Sequence, residues 1–268
     1  METLQKLYLS ILLLFFLFSC KTDKEKALEV LEFGKHYQGS SQSLNALTRA
    51  AELDSTNAEI YRELSIPYLK RGLPHLWKKD MDKAVAKNPI EWQGYRGYNY
   101  LWFYRDYKKA IADFDATDTL TPNFIDAPQG HSVDYWRGIA YLGLKDYKNS
   151  NAYFEKHIAK ETQEFGEDYV DVTAFLYNGI SYFEAGNFEK AVTNFDKQLE
   201  YSRNLSADAK YYKSLILKAQ NNPHEALSLL KSANEDFNLG YFNNRPYVEA
   251  LRQIYIIDLE TLKIELNP

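Results

Sequence analysis

Trp136-Arg137-Gly138-Ile139-Ala140-Tyr141, followed at a fixed distance by Asp146-Tyr147, is the stretch that decides the fold. It recurs on either side. Upstream it reads Tyr95-Arg96-Gly97-Tyr98-Asn99-Tyr100 and then Asp106-Tyr107; downstream it reads Tyr177-Asn178-Gly179-Ile180-Ser181-Tyr182 and then Asn187-Phe188. Each copy continues to a small residue and then to Phe: Ala110 and Phe114, Ser150 and Phe154, Ala191 and Phe195. Fainter copies start at Ser65 and at Ser214.

Offsets of three and four put side chains on one helical face. A small residue with Tyr three on is a face that admits another helix closely; Ala or Ser followed by an aromatic is the face that approaches. Between the two lies a short polar break such as Leu144-Lys145-Asp146 or Ala185-Gly186-Asn187. The spacing therefore predicts one αα-hairpin per copy. Ser55 to Pro89 spans 34 residues and Pro89 to Pro122 spans 33, whereas Gly138 to Gly179 spans 41 and holds an insertion.

A period near 34 with a small residue, Tyr, Ala, Phe and Pro in order resembles the tetratricopeptide repeat. The match is best from Tyr177 to Phe195, and the resemblance covers roughly residues 24 to 236. The Trp that opens the ideal motif is mostly replaced. The fold this implies is an all-α, right-handed αα-solenoid of about six helix pairs plus a C-terminal capping helix, extending over 24–268.

Residues 1–19 are expected to be a signal peptide. Lys6 supplies a positive charge, and Leu7 to Phe18 is an apolar run too short to span a bilayer comfortably. Leu17-Phe18-Ser19-Cys20 resembles the lipobox of bacterial lipoproteins, in which the chain is cut before Cys and the Cys is acylated. Cys20 is the single cysteine, which leaves no intramolecular disulfide. It is the candidate lipidation site, with 20–23 as a short tether. The resemblance implies a lipid-anchored protein of a bacterial cell envelope, at the outer membrane, facing periplasm or exterior.

A net charge of −5 with both signs interspersed argues against nucleic acid. His36, His75, His131, His157 and His224 form no metal-binding spacing, and there is no nucleophile elbow or P-loop. No cofactor, metal or catalytic residue is expected. The candidate site is instead the face of the first helices. Counted from each small residue, it carries Arg62, Lys70, Tyr98, Trp102, Tyr135, Tyr211 and Lys218. Tyr and Trp are favoured interface anchors, so the expected partner is a protein or peptide. The alternative is a glycan or small ligand stacked on the same aromatics. Asn is absent from the position after the small residue, which opposes the carboxylate clamp that some tetratricopeptide proteins use.

Four further expectations concern irregular stretches. Residues 123–134, with Pro128 and Gly130, are a long connection and a candidate binding loop. Glu161 to Asp171 read as a solvated helix extension, not a calcium loop. Pro67 lies inside a helix. Gly240 to Asn244 is a break, with Pro246 opening a final helix over Tyr247–Leu262.

Overall fold

The computed structural model describes residues 21–267, so Cys20 and the expected signal peptide lie outside the described residues. Thirteen α-helices and two short 3₁₀ turns follow one another, and no strand occurs among the described residues. The helices fall into six consecutive pairs. They are α1 (Asp23–Lys35) with α2 (Ser41–Leu53), α3 (Ala58–Lys70) with α4 (Pro74–Lys87), and α5 (Pro89–Phe103) with α6 (Tyr107–Leu120). Then come α7 (Val133–Gly143) with α8 (Tyr147–Phe165), α9 (Val172–Glu184) with α10 (Phe188–Tyr201), and α11 (Ala207–Ala219) with α12 (Pro223–Asn238). A last helix, α13 (Ile256–Leu266), packs on α12. The chain divides into two compact units between Trp92 and Gln93, inside α5.

The motif residues make the hairpins. A Cβ on Gly138 would lie 2.8 Å from the Phe154 ring, one on Gly179 would lie 2.6 Å from Phe195, and one on Gly97 would lie 2.8 Å from Phe114. No Cβ fits there, so each ring rests directly on the backbone of the preceding helix. Phe114, Phe154 and Phe195 are fully buried, each burial contributing roughly 1.5–3 kcal/mol. In the Ser65 copy, Ser65 faces Met81 with Oγ 3.8 Å from Sδ.

The +3 Tyr and the +8 Asp or Asn close the turn. The Asp146 amide donates to the Tyr141 carbonyl at 2.9 Å, and the Asn187 amide to that of Tyr182 at 2.9 Å. The same side chains, with Asp106, then cap the second helix by accepting from Asn149, Lys190 and Lys109 amides. The residue before each cap is left-handed: Arg105 (φ 53°), Lys145 (φ 60°) and Gly186 (φ 78°).

In the first unit, Leu31, Leu47, Ile60, Trp77 and Met81 form the core, and Pro67 stands inside α3. In the second unit the α5–α6 and α7–α8 pairs are joined by Arg137, which is 1% exposed. Its guanidinium donates to Asp115 at 2.9 Å, Asp134 at 2.9 Å, Asp118 at 2.6 Å and the Phe114 carbonyl at 2.6 Å. A buried guanidinium is tolerable because its donors are matched in this way.

Three expectations are corrected. Residues 161–171 are not one helix extension: α8 stops at Phe165, Gly166 turns at φ 104°, and Glu167–Tyr169 is a 3₁₀ turn. The final helix starts at Ile256 rather than Tyr247, so Pro246 is not at a helix start. A helix over Tyr247–Leu262 is expected to bury Leu251, Ile254, Tyr255 and Leu259 against the last pair; Leu251, Ile254 and Leu259 are buried, but Tyr255 is exposed. Residues 241–255 form no regular element.

Candidate functional site

The first helices of the second unit, α5, α7, α9 and α11, present one inner face, and residues 241–255 lie on it. The contacts touch all four helices. On α11, the Ala207 amide donates to the Tyr241 carbonyl at 2.9 Å, and the Asn243 amide donates to Asp208 Oδ2 at 2.7 Å. On α9, the Asn243 side-chain amide donates to the Tyr177 hydroxyl at 2.9 Å. Arg252 forks onto both carboxylate oxygens of Glu184, 2.9 Å to the second.

On α5 and α7 the grip is aromatic. The Arg245 guanidinium donates to the Tyr98 hydroxyl at 2.5 Å. It lies 4.0 Å from the Trp102 ring centre, 5.7 Å from that of Tyr98 and 5.9 Å from that of Trp136. A cation over such faces is attracted by the ring quadrupoles. Arg105, just after α5, donates to the Glu249 carbonyl. Phe242 stacks on Phe237 at 4.4 Å before this stretch, and Ala250, Leu251 and Ile254 are buried after it.

Burial sets the electrostatics. Asp208 has its carboxyl pushed up to about 7 by desolvation, against the lowering effect of the Asn243 amide bond. Tyr177 is pushed up to about 12 for the same reason. Asp236 and Lys210 form a buried ion pair at 2.6 Å beneath the start of the segment.

This geometry places each sequence-predicted residue. Trp102 is 1% exposed and Tyr135 2%. Tyr98 is half-buried under Arg245. Tyr98 and Trp102 meet the chain's own segment, which covers them, and Tyr135 is covered by its neighbours. Tyr135 is packed among His131, Trp136 and Phe154, and its hydroxyl bonds Thr173 at 2.7 Å. Tyr211 packs against the α12–α13 cluster, and Lys218 pairs with Glu265 of α13 at 2.6 Å. In the first unit, Arg62 stands 5.4 Å from the Trp92 ring and pairs with Glu63. Lys70 there donates to Gln38 at 2.9 Å. The open aromatic groove expected from sequence is therefore, in the second unit, a filled one. The residues that fill it, Asn243, Arg245 and Arg252, carry no repeat signature; the one local sign is the Asn-Asn-Arg-Pro run, which breaks helical periodicity.

The connection 123–134 and the turn 166–171 together enclose a polar pocket of about 260 Å³. The connection is pinned by the Trp136 indole, which donates to the Pro128 carbonyl at 2.8 Å, and by the Val133 amide on the Asp126 carbonyl at 2.8 Å. Inside, Ser132 Oγ lies 3.0 Å from His157 Nδ1. Desolvation lowers His157 to about 4, so its imidazole is neutral. Ser132 Oγ also accepts from the Tyr135 amide and caps α7, which makes the pair a capping element. Among the described residues no group of three His, Cys, Asp or Glu converges to hold a metal ion, and no helix is long and apolar enough to cross a membrane.

No protein-family model and no curated relative matches the sequence. Solved structures match the fold. PilW, a widely conserved type IV pilus biogenesis factor, superimposes with TM-score 0.62 at 18% identity, over 90% of this chain and 96% of that one. PilF of Pseudomonas aeruginosa gives TM-score 0.58 at 17% identity, over 82% and 97%. A tetratricopeptide repeat protein of Parabacteroides merdae gives 0.55 at 17%, over 90% and 84%. The fold is that of tetratricopeptide repeat proteins: an all-helical solenoid of neighbouring pairs.

Proposed function

We propose that this chain is a membrane-anchored, non-catalytic protein-interaction scaffold of a bacterial cell envelope, held at the outer membrane by acylated Cys20. The observation that carries the scaffold reading is the inner face of the second unit. It grips a non-helical stretch of chain through main-chain bonds, a cation among rings and a carboxylate fork, contacts of the kind that hold a peptide on a protein surface. The anchor rests on the apolar run and lone cysteine of residues 7–20. Likeness to a pilus biogenesis factor accords with an envelope setting. The glycan reading has less support, since Arg245 already occupies the faces of Trp102 and Trp136.

The test is crosslinking and co-purification of the tagged protein from membranes of its own host, with metabolic labelling by a fatty-acid analogue. Wild type and Cys20→Ser are compared. A defined protein partner, with label and membrane retention both lost in Cys20→Ser, is expected. Label that persists in Cys20→Ser sinks the anchor, and absence of any protein partner sinks the scaffold.

A further inference from the structure

We propose that residues 243–249 are an internal ligand of the inner face, and that the partner this face takes is a non-helical peptide bearing Asn and, two residues on, Arg. The inference rests on the scaffold reading and narrows it to one surface and one partner chemistry.

The segment is not uniformly held. At its start Phe242 stacks on Phe237, and at its end Ala250, Leu251 and Ile254 are buried. Between these apolar anchors, Asn244, Pro246, Tyr247 and Glu249 are exposed. Half-buried Val248 lies in this stretch, and its polar and cationic grips include Asn243 on Asp208 and Tyr177, Arg245 on Tyr98 and the two indoles, and the Glu249 carbonyl on Arg105. Polar bonds exchange for water bonds at little net change, whereas apolar anchors do not. Residues 243–249 can therefore bulge away while both anchors stay seated and α13 stays on α12.

The fit is also incomplete. Arg245 Nε, Arg105 Nη1 and Asp208 Oδ1 are buried and have no hydrogen-bond partner among the described residues. Tyr247 sits at φ 70°, a left-handed conformation that a Tyr adopts only under constraint. An incoming peptide free of those joints can relax that backbone and still present the same two side chains. What the face reads is set by its own groups. Asp208 takes a main-chain amide, the Tyr177 hydroxyl takes the Asn amide, and the box of Tyr98, Trp102 and Trp136 takes a guanidinium. Arg suits the box because its planar cation stacks on rings. An acidic side chain has no place in the box, since the ring faces attract a cation.

The experiment uses the full chain in detergent and a fluorescent synthetic peptide of residues 241–250, followed by anisotropy. Wild type is compared with Asn243→Ala/Arg245→Ala, which loosens the internal segment and leaves the face intact. Occupancy in cis lowers the apparent affinity by the fraction of open face, so the double variant is expected to bind at least about tenfold more tightly. Changing the peptide's own Arg to Ala should remove the gain. Equal binding by both proteins, or none by a variant that retains its helical circular dichroism, overturns the proposal. Dimerisation of the variant through exchange of this segment also overturns it, since the partner would then be a second copy. Hydrogen exchange on the wild type covers the case of a misfolded variant. The Asn243 amide should exchange by local opening, at low denaturant, while α9 stays protected; exchange only by global unfolding refutes the internal ligand. A partner captured from the host while the peptide fails leaves the scaffold reading standing and removes this inference alone.

Discussion

The α9–α10 hairpin and the segment 241–255 are neighbours held by opposite means. The hairpin is packed, with Phe195 seated on the bare backbone of Gly179 and Phe175, Ile180 and Ala191 buried around it. Between its apolar ends the segment is clasped, one side chain at a time, by groups far away in sequence. Packing of this kind is collective, so a single truncation removes many contacts at once. Clasping is modular, and each grip can fail alone. The first prediction takes the packed side. Phe195→Ala leaves a cavity against Gly179 and should cost about 3–5 kcal/mol, read as a lowered midpoint of urea unfolding. A cost near that of a single clasp would break the contrast.

The same contrast explains what could be read from the sequence. The hairpins were legible because Gly138 and Phe154, or Tyr182 and Asn187, repeat at fixed offsets and do the same physical job each time. On the inner face only Tyr98 and Trp102 were legible, since they follow from that register. What covers them was not. Arg245 meets Tyr98 across 147 positions and Asn243 meets Tyr177 across 66, and neither meeting recurs elsewhere to give a pattern. Tyr247 to Leu262 reads as a helix because Leu251, Ile254 and Leu259 fit a helical face. Tertiary anchoring of Leu251 and Ile254 overrides that propensity in the structure. The turn at 166–171 was missed for a related reason: Gly166 at φ 104° ends α8 in mid-insertion, where the repeat gives no register.

The second prediction sets a buried clasp against a buried cap by pH. Asp208, under the segment, is raised from 3.8 to about 7. The folded chain therefore holds a proton that the unfolded chain has released, and between about pH 4 and 7 this group makes stability fall as pH rises. His157, in the cap of α7, is lowered from 6.5 to about 4. Here the unfolded chain holds the extra proton, and stability rises with pH from about 4 to 6.5. The two slopes oppose each other in the shared window. Each approaches about 1.4 kcal/mol per pH unit at its limit. Asp208→Asn should unmask the rise, and His157→Gln should unmask the fall. Unfolding free energies measured from pH 4 to 7 check this, and parallel profiles for wild type and Asp208→Asn would deny Asp208 its buried role.

The third prediction removes one clasp. Arg245→Ala strips the guanidinium from Tyr98, Trp102 and Trp136, but the apolar anchors at Phe242 and Leu251 remain. A loss of about 1–2 kcal/mol is expected, with protease sensitivity gained at 243–249 and helical content unchanged. Loss of helical signal along with it would mean that the segment belongs to the packed core.

The smallest effect separates the two modes at one backbone position. Lys145 and Arg105 both occupy the left-handed residue before a second-helix cap, at φ 60° and φ 53°. An L-residue there is strained by roughly 1–2 kcal/mol, and Gly relieves most of this while adding entropy to the unfolded chain. Lys145 is exposed, so Lys145→Gly should stabilise by up to about 1 kcal/mol. Arg105→Gly relieves the same strain, yet it deletes the guanidinium that binds the Glu249 carbonyl and lies 5.5 Å from the Trp102 ring. Its net change should be close to zero or unfavourable, about 1 kcal/mol below that of Lys145→Gly. The gap between the two variants, measured in the same denaturant titration, is the worth of the Arg105 clasp. If the gap vanishes, Arg105 is only a turn residue and the segment is held without it.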